Sequence, residues 1–280
     1  DVCSSDLVQE EPRGRTFPVI KAAVIGSPIK HSLSPVLHLR GYELLGVEGR
    51  YEALEVSSGQ LMNFLEDEAK TLTGLSLTMP LKEEALEVAK RISDDASLLS
   101  SINTMVRDGS VWEGFNTDVL GFQYLLRDFV GNQVTILGAG GTARAALLAA
   151  KRHGMTSSVI RRNPVRDEAL KKIDGSVKIL DWEELTNDQR VGVLINATPK
   201  GALPRDVTFY NRIILDSLYD PWPTELANLS TECDQFLTGI DLLAAQASYQ
   251  IELMVGTKID HDWLIPELKR HGLARINSSE

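Results

Sequence analysis

The chain has 280 residues, 43% of them hydrophobic, enough to bury one large core or two of ordinary size. Twenty-nine Lys and Arg against 39 Asp and Glu give a net charge of -10 with no long block of one sign, so neither a nucleic-acid face nor a polybasic membrane patch is expected. The two cysteines, Cys3 and Cys233, stand far apart with no Cys/His cluster at metal-ligand spacing, and runs such as 145–150 fall well short of the ~20 apolar residues a membrane helix needs, which excludes a disulfide scaffold, a zinc site and a spanning segment and leaves the cytoplasm as the expected setting.

The first residues, DVCSSDLVQEEPRGR, show no apolar period, and 1–16 read as a disordered or extraneous leader. From Pro18, short β-rich runs alternate with amphipathic stretches: VIKAAVIG, a helix near 34–46, YEALEV, a helix near 58–69, LSLTM, and a helix near 81–92. That rhythm predicts a mostly parallel sheet. INTMV and SVWEGF then flank Asp108-Gly109, a strong hairpin signal. A connecting helix over 117–130 leads to a second series that begins with QVTILG, with further strands near 157–160, 177–180, 191–196 and 212–216. Two sheets mean two α/β domains. The segment from Ile240 onward reads as two helices with no strand of their own, which must dock on something already built; the first sheet, needing cover, is the expected host. The expected division is a substrate-binding domain over 17–117 plus 240–280 and a nucleotide-binding domain over 118–239.

Within the second series, Gly138-Ala139-Gly140-Gly141-Thr142-Ala143 follows a strand and opens a helix. Glycines there permit a tight turn and let a pyrophosphate approach helix-terminal N–H groups, while a small third residue lets helix and strand pack closely. About twenty residues on, where an NAD site carries an acid for the ribose 2′-hydroxyl, the chain has Arg161-Arg162-Asn163. A guanidinium can bind a 2′-phosphate that an acid would repel, so NADP is favoured over NAD.

In the first series, Ser32, Ser34, Thr78, Lys82, Asn103 and Asp118 all fall just past strands or around the hairpin. Open α/β sheets bind ligands beyond the carboxyl ends of their strands, so these residues are expected to converge. Each also has a plain reading: Ser34 before Pro35 as a helix N-cap, His31 as a loop or satisfied histidine, Asn103 as a turn or backbone-bonding residue, and Lys82 as an exposed lysine paired with Glu83, Glu84 or Glu87. Against the last stands position. A cation in the first turn of a helix is disfavoured, whereas Asp118 nearby would hold it and complete an acid/base unit.

The blocks GSPIKHSLSPVLH, GLSLTMPLK, SINT, GFNTD, GAGGTARA, INAT, DSLYDPWPT and GIDLLAAQASYQ resemble, in order and approximate spacing, the motifs of the shikimate dehydrogenase family, over Val24 to Val255. The resemblance implies reduction of 3-dehydroshikimate with NADPH, with Lys82 and Asp118 as the catalytic pair. It further implies that Ser32 and Ser34 bind the substrate carboxylate with Tyr219 nearby, and that Thr78, Asn103 and Gln246 contact ring hydroxyls. Gly138, Gly140, Gly141 and Ala143 would match the phosphate turn, Arg162 and Asn163 the 2′-phosphate clamp, and Thr198 and Gly239 would complete the cofactor wall, Gly239 near the nicotinamide. The block usually read N-V-T-x-P is here Ser76-Leu77-Thr78-Met79-Pro80, Leu39 stands where asparagine is frequent, and Pro199-Lys200 replaces a serine-containing turn. Ser76, Leu39 and the DPWPT run resemble the actinobacterial branch. An NAD-dependent quinate/shikimate dehydrogenase would want an acid near 161 or 162, and a noncatalytic NADP-binding regulator could lose Lys82 or Asp118. The expected partner is a small-molecule substrate, with the chain a monomer or homodimer.

Overall fold

The computed structural model describes residues 19–185, 192–210, 212–230 and 233–277; the leader expected over 1–16 lies outside them. The first domain is built from β1 (Ile20–Gly26), α1 (Ser34–Leu44), β2 (Gly49–Glu55), α2 (Leu61–Glu66), β3 (Gly74–Leu77), α3 (Leu81–Val88), β4 (Arg91–Ile92), α4 (Asp94–Leu99), β5 (Thr104–Asp108) and β6 (Val111–Phe115). Its sheet has the order β2-β1-β3-β5-β6-β4, with β5 antiparallel to both neighbours and the other pairings parallel. Alternate residues of β1 feed opposite faces: Ile20, Ala22 and Val24 enter one core, Ala23 and Ile25 another. Burial on both faces is why this strand reads as a continuous apolar run.

After α5 (Asp118–Leu126) the second domain follows as β7 (Gln133–Leu137), α6 (Gly141–Arg152), β8 (Thr156–Arg161), α7 (Asp167–Ile173), β9 (Lys178–Asp181), β10 (Val193–Asn196), β11 (Ile213–Asp216), α8 (Glu225–Leu229) and β12 (Gln235–Leu237). All pairings are parallel, in the order β12-β11-β10-β7-β8-β9. Counted from its first strand this is the 3-2-1-4-5-6 order of a dinucleotide-binding sheet, whose switch point lies between β7 and β10. Gly138 leaves β7 at φ +106, and a Cβ there would sit 3.0 Å from the Ala197 carbonyl oxygen beyond β10. Glycine is required by conformation and by space.

The chain ends with α9 (Gly239–Val255) and α10 (His261–Asn277). Thr238 and Asp241 form a capping box at the start of α9, and its Ala244, Ala245, Ala247 and Ile251 pack with Leu37, Tyr42 and β1, while Leu264 and Leu268 of α10 join the same core. The last helices thus cover the first sheet. Four elements go beyond the sequence reading: β4, α4, α8 and β12, of two, six, five and three residues, too short for any periodicity to register. The helix expected to 92 stops at Val88 because Arg91 and Ile92 pair with Glu113 and Gly114 of β6, a tertiary contact that overrides local helical preference.

Candidate active site

A cleft of about 1190 Å³ runs between the domains, lined from one side by residues beyond β1 and β3 and from the other by residues beyond β7, β8, β10 and β11. Its floor answers why a lysine opens α3. Lys82 is the second residue of that helix, and its Nζ donates to Asp118 Oδ2 at 2.6 Å, with both side chains mostly buried. The carboxylate offsets the unfavourable end of the helix dipole and fixes the ammonium in the cleft. Asp118 Oδ1 in turn accepts from Asn103 Nδ2 at 2.8 Å. Asn103 is held on its other side, since its Oδ1 accepts from the Thr117 backbone N–H at 2.7 Å and the Thr104 hydroxyl at 2.8 Å. Gln246 of α9 closes the group, with Oε1 3.4 Å from Asn103 Nδ2.

Ser32, Ser34 and Thr78 line the same cleft as Lys82. The N-cap reading of Ser34 is corrected: the cap position is Leu33, no side chain caps the helix, and the Ser34 N–H instead donates to Ser32 Oγ at 3.3 Å. Pro35 within the first turn removes one N–H that a cap would have had to satisfy. Tyr219, from the loop after β11, crosses toward the first domain and meets the Leu33 backbone. Burial pushes its phenol above the ordinary tyrosine range, so it stays a neutral hydroxyl.

The glycine turn forms the opposite wall. Gly138, Ala139, Gly140, Gly141 and Thr142 line the cleft, and a Cβ on Gly140 would meet nothing within 4 Å, so the space before α6 is open. Ala143 does not line it; it is fully buried in the core with Val134 and Ile136, where its small size lets α6 lie close on β7. An added Cβ on Gly141 would stand 2.7 Å from Ser101 Oγ and 4.0 Å from Lys82 Cδ. The nucleotide turn and the lysine therefore share one corner of the cleft, and Ser101 Oγ is buried there with no hydrogen-bond partner.

The two arginines after β8 differ. Arg161 donates to both oxygens of Asp167 at 2.7 Å and also pairs with Asp181, so its charge is already matched. Arg162 has no carboxylate partner among the described residues; its guanidinium lies 5.0 Å over the Trp182 ring and donates to the Ala202 carbonyl at 3.2 Å. Asn163 Oδ1 accepts from Val165 N–H at 3.0 Å, shaping the turn that follows. Thr198 is tied to Asn196 Oδ1 through both its N–H and its hydroxyl, and Asn196 donates to the buried Asp216. Burial pushes the Asp216 carboxyl up against the donors from Thr224, the Leu218 backbone and Asn196. Gly239 starts α9 so close to the loop after β11 that a Cβ would lie 2.5 Å from the Ser217 carbonyl oxygen.

Sequence reasoning passed over Arg144 and weighed Glu83 only as a partner for Lys82, whereas it pairs with arginines of the second domain. Arg144, buried in α6, donates to Glu83 of α3 at 2.8 Å and to the Leu99 carbonyl at 2.8 Å, and Arg166 reaches the same Glu83 oxygen at 2.9 Å, so this carboxylate joins the two domains. Burial would raise Glu83, but Arg144 and Arg166 outweigh it and hold the carboxyl below the ordinary range. The available signal was an arginine in the otherwise apolar run after the glycine turn. Among the described residues no cluster of His, Cys, Asp or Glu could hold a metal, and no helix is long and apolar enough to cross a membrane.

A Rossmann sheet facing a second α/β domain, with an ammonium–carboxylate pair beside the glycine turn, defines a two-domain dinucleotide-dependent oxidoreductase. Residues 24–105 match the family described as the shikimate dehydrogenase substrate binding domain. The chain is 31% identical over 249 residues, 85% of its length and 93% of the relative's, to an NADP(+) shikimate dehydrogenase of Thermus thermophilus. Its fold is similar to the crystal structure of Mycobacterium tuberculosis shikimate dehydrogenase (TM-score 0.77, 30% identity, covering 91% of this chain and 99% of that one). It is equally similar to a crystal structure of Thermus thermophilus shikimate 5-dehydrogenase in complex with NADP(H) and shikimate (TM-score 0.78, 30% identity, 90% and 99%). The chain belongs to the shikimate dehydrogenase family and is an enzyme, an oxidoreductase.

Proposed function

We propose that the protein catalyses the reversible reduction of 3-dehydroshikimate to shikimate with NADPH, in the cytoplasm, and that it belongs to the actinobacterial branch of its family, to which Ser76, Leu39 and the DPWPT run point. The observation that carries the reading is the Lys82–Asp118 pair at 2.6 Å, adjoining the Gly141 turn in one cleft. Residues 17–117 with 240–280 would hold the substrate and 118–239 the cofactor.

The residues present fit NADP. The turn at Gly138 and Gly140 gives a pyrophosphate room beside the α6 N–H groups, and Arg162, with no carboxylate of its own among the described residues, is the cation left for a 2′-phosphate. Arg161, neutralised by Asp167 and Asp181, serves instead to brace the loop. Bound there, the cofactor supplies the hydride.

On the substrate side, Ser32 and Ser34 would bind the carboxylate with the Tyr219 hydroxyl closing over it, and Thr78, Asn103 and Gln246 would orient the ring hydroxyls. Lys82 Nζ, held by Asp118, would lie against the C3 carbonyl oxygen, stabilise the negative charge that grows on it as the carbon is reduced, and deliver the proton that completes the hydroxyl. The reverse direction uses the same lysine as the base. The test is reduced-nicotinamide absorbance with shikimate or quinate crossed against NADP+ or NAD+. Turnover largely confined to shikimate with NADP+ is the expected result; a preference for NAD+, or no turnover with either acid, would reject the reading.

A further inference from the structure

Behind the catalytic pair lies a buried polar chain whose far members, Tyr51, Ser76, Gln250 and Thr104, the mechanism does not use. The Tyr51 hydroxyl donates to Ser76 Oγ at 2.6 Å, and Ser76 donates to Gln250 Oε1 at 2.7 Å. Gln250 Nε2 donates to Thr104 Oγ1 at 3.0 Å, Thr104 to Asn103 Oδ1 at 2.8 Å, and Asn103 Nδ2 to Asp118 Oδ1 at 2.8 Å. Every donor points the same way, so the chain runs without a break from β2 through β3, α9 and β5 to the carboxylate that holds Lys82. Serial hydrogen bonds polarise one another, and in a buried setting they fix geometry that water would otherwise loosen.

Gln250 is the member that joins the halves. It is 1% exposed, and all of its hydrogen-bonding capacity at the amide is used: Oε1 accepts from Ser76 and from His38 Nε2 at 3.0 Å, while Nε2 donates to Thr104 and to the Asn103 carbonyl at 3.2 Å. The Asn103 carbonyl fixes the amide orientation, since a flipped amide would set oxygen against oxygen. Gln250 borders the cleft but has no free donor for a ligand, so its effect passes through Asn103.

Ser76 faces Thr104 directly across the β3–β5 pairing. An asparagine at 76 would put its amide within reach of Thr104 by that cross-strand contact alone. Here Ser76 Oγ and Gln250 Oε1 already touch at 2.7 Å, leaving no room for the longer side chain.

We propose that Gln250 is a positioning residue for the Lys82–Asp118 pair, and that with Ser76 it supplies from α9 the amide that an asparagine at position 76 would supply from β3. The proposal rests on the reaction assigned above. The test compares Gln250→Ala, Ser76→Asn and the double variant in kcat, KM for shikimate and NADP+, and melting temperature. Gln250→Ala is expected to lower kcat about 10- to 100-fold, the scale of a misplaced catalytic group, with KM for NADP+ essentially unchanged. Ser76→Asn alone is also impaired, and the double variant recovers most of the lost kcat.

A Gln250→Ala variant that melts lower yet keeps the parental kcat, or a double variant no better than the worse single one, overturns the proposal. If Gln250→Ala does not fold, Thr104→Val interrupts the same chain one step nearer Asp118, and an undiminished kcat there is equally fatal. If the parental protein does not oxidise shikimate with NADP+, the assigned reaction falls, and the exchange between 76 and 250 is read from the melting temperatures. Losses that simply add contradict it, and recovery in the double variant supports it.

Discussion

The two walls of the cleft are prepared differently. On the first-domain wall, Asn103, Asp118 and Gln250, with Thr104 and Thr117 behind them, are buried and bonded to one another, so their orientations are set before any ligand arrives. On the second-domain wall, Gly140 borders open space and Arg162 is exposed, with a ring and one carbonyl for company. The first wall is organised for chemistry and the second for capture. Damage to the first should therefore fall on kcat, and damage to the second on KM for the cofactor.

The largest effect expected from this contrast is at Asp118. Asp118→Asn removes the charge that holds Lys82 and should lower kcat by about 10²–10⁴-fold, with KM for NADP+ little changed; steady-state kinetics would show whether the cofactor wall moves with it. Next comes Arg162→Ala, expected to raise KM for NADP+ by about 10- to 100-fold, the size of a lost charge-assisted hydrogen bond, while leaving NAD+ unaffected. Arg161→Ala is the control: its partners Asp167 and Asp181 are protein carboxylates, so it should disturb the loop more than the discrimination. Equal effects of the two arginines on the NADP+/NAD+ ratio would erase the distinction drawn between them.

Gly239→Ala tests a purely steric requirement of the second wall. The added methyl would press on the Ser217 carbonyl and the Leu218 backbone, costing about 1–3 kcal/mol and lowering the melting temperature by several degrees. A smaller effect concerns pH and the first wall. Burial, opposed only by the Gln250 hydrogen bond, lowers His38 from 6.5 to about 3. The unfolded chain therefore takes up this proton first as pH falls, so the contribution is complete above pH 6.5 and lost on the way down to about 3. At pH 5 the loss is about 2 kcal/mol, and His38→Gln should flatten the fall in melting temperature between neutral pH and pH 5. An unchanged slope would place that proton uptake elsewhere.

Much of the architecture was legible because it is written in periodicity. Strands buried on both faces, such as β1, read as apolar runs, and the glycine turn stood between a strand and a helix. The short β4 and β12 escaped because their pairing partners, not their own residues, make them regular, and α4 because six residues carry too little apolar period to register. At the site, residues at strand ends could be gathered by the rule for open sheets, and Lys82 drew attention by its awkward place on α3. What could not be read was the state of each side chain. Arg161 and Arg162 are neighbours of the same type, and only Asp167 and Asp181, brought back by α7 and β9, tell them apart. Ser76, Thr104 and Gln250 are ordinary polar residues singly, and their chain exists only where β3, β5 and α9 meet. One hint was present: Gln246 and Gln250, four apart on a largely apolar helix, share one face.

The central claim is that Lys82 moves the proton while the rest of the cleft holds the reactants. Its most direct test is a single turnover with 3-dehydroshikimate and NADPH both bound, comparing the parental protein with Lys82→Ala and checking occupancy by titration of nicotinamide fluorescence. The expected result is that both proteins bind both ligands and that oxidation of the nicotinamide slows at least about 100-fold in the variant. Oxidation at the parental rate in a fully loaded Lys82→Ala complex would contradict the account.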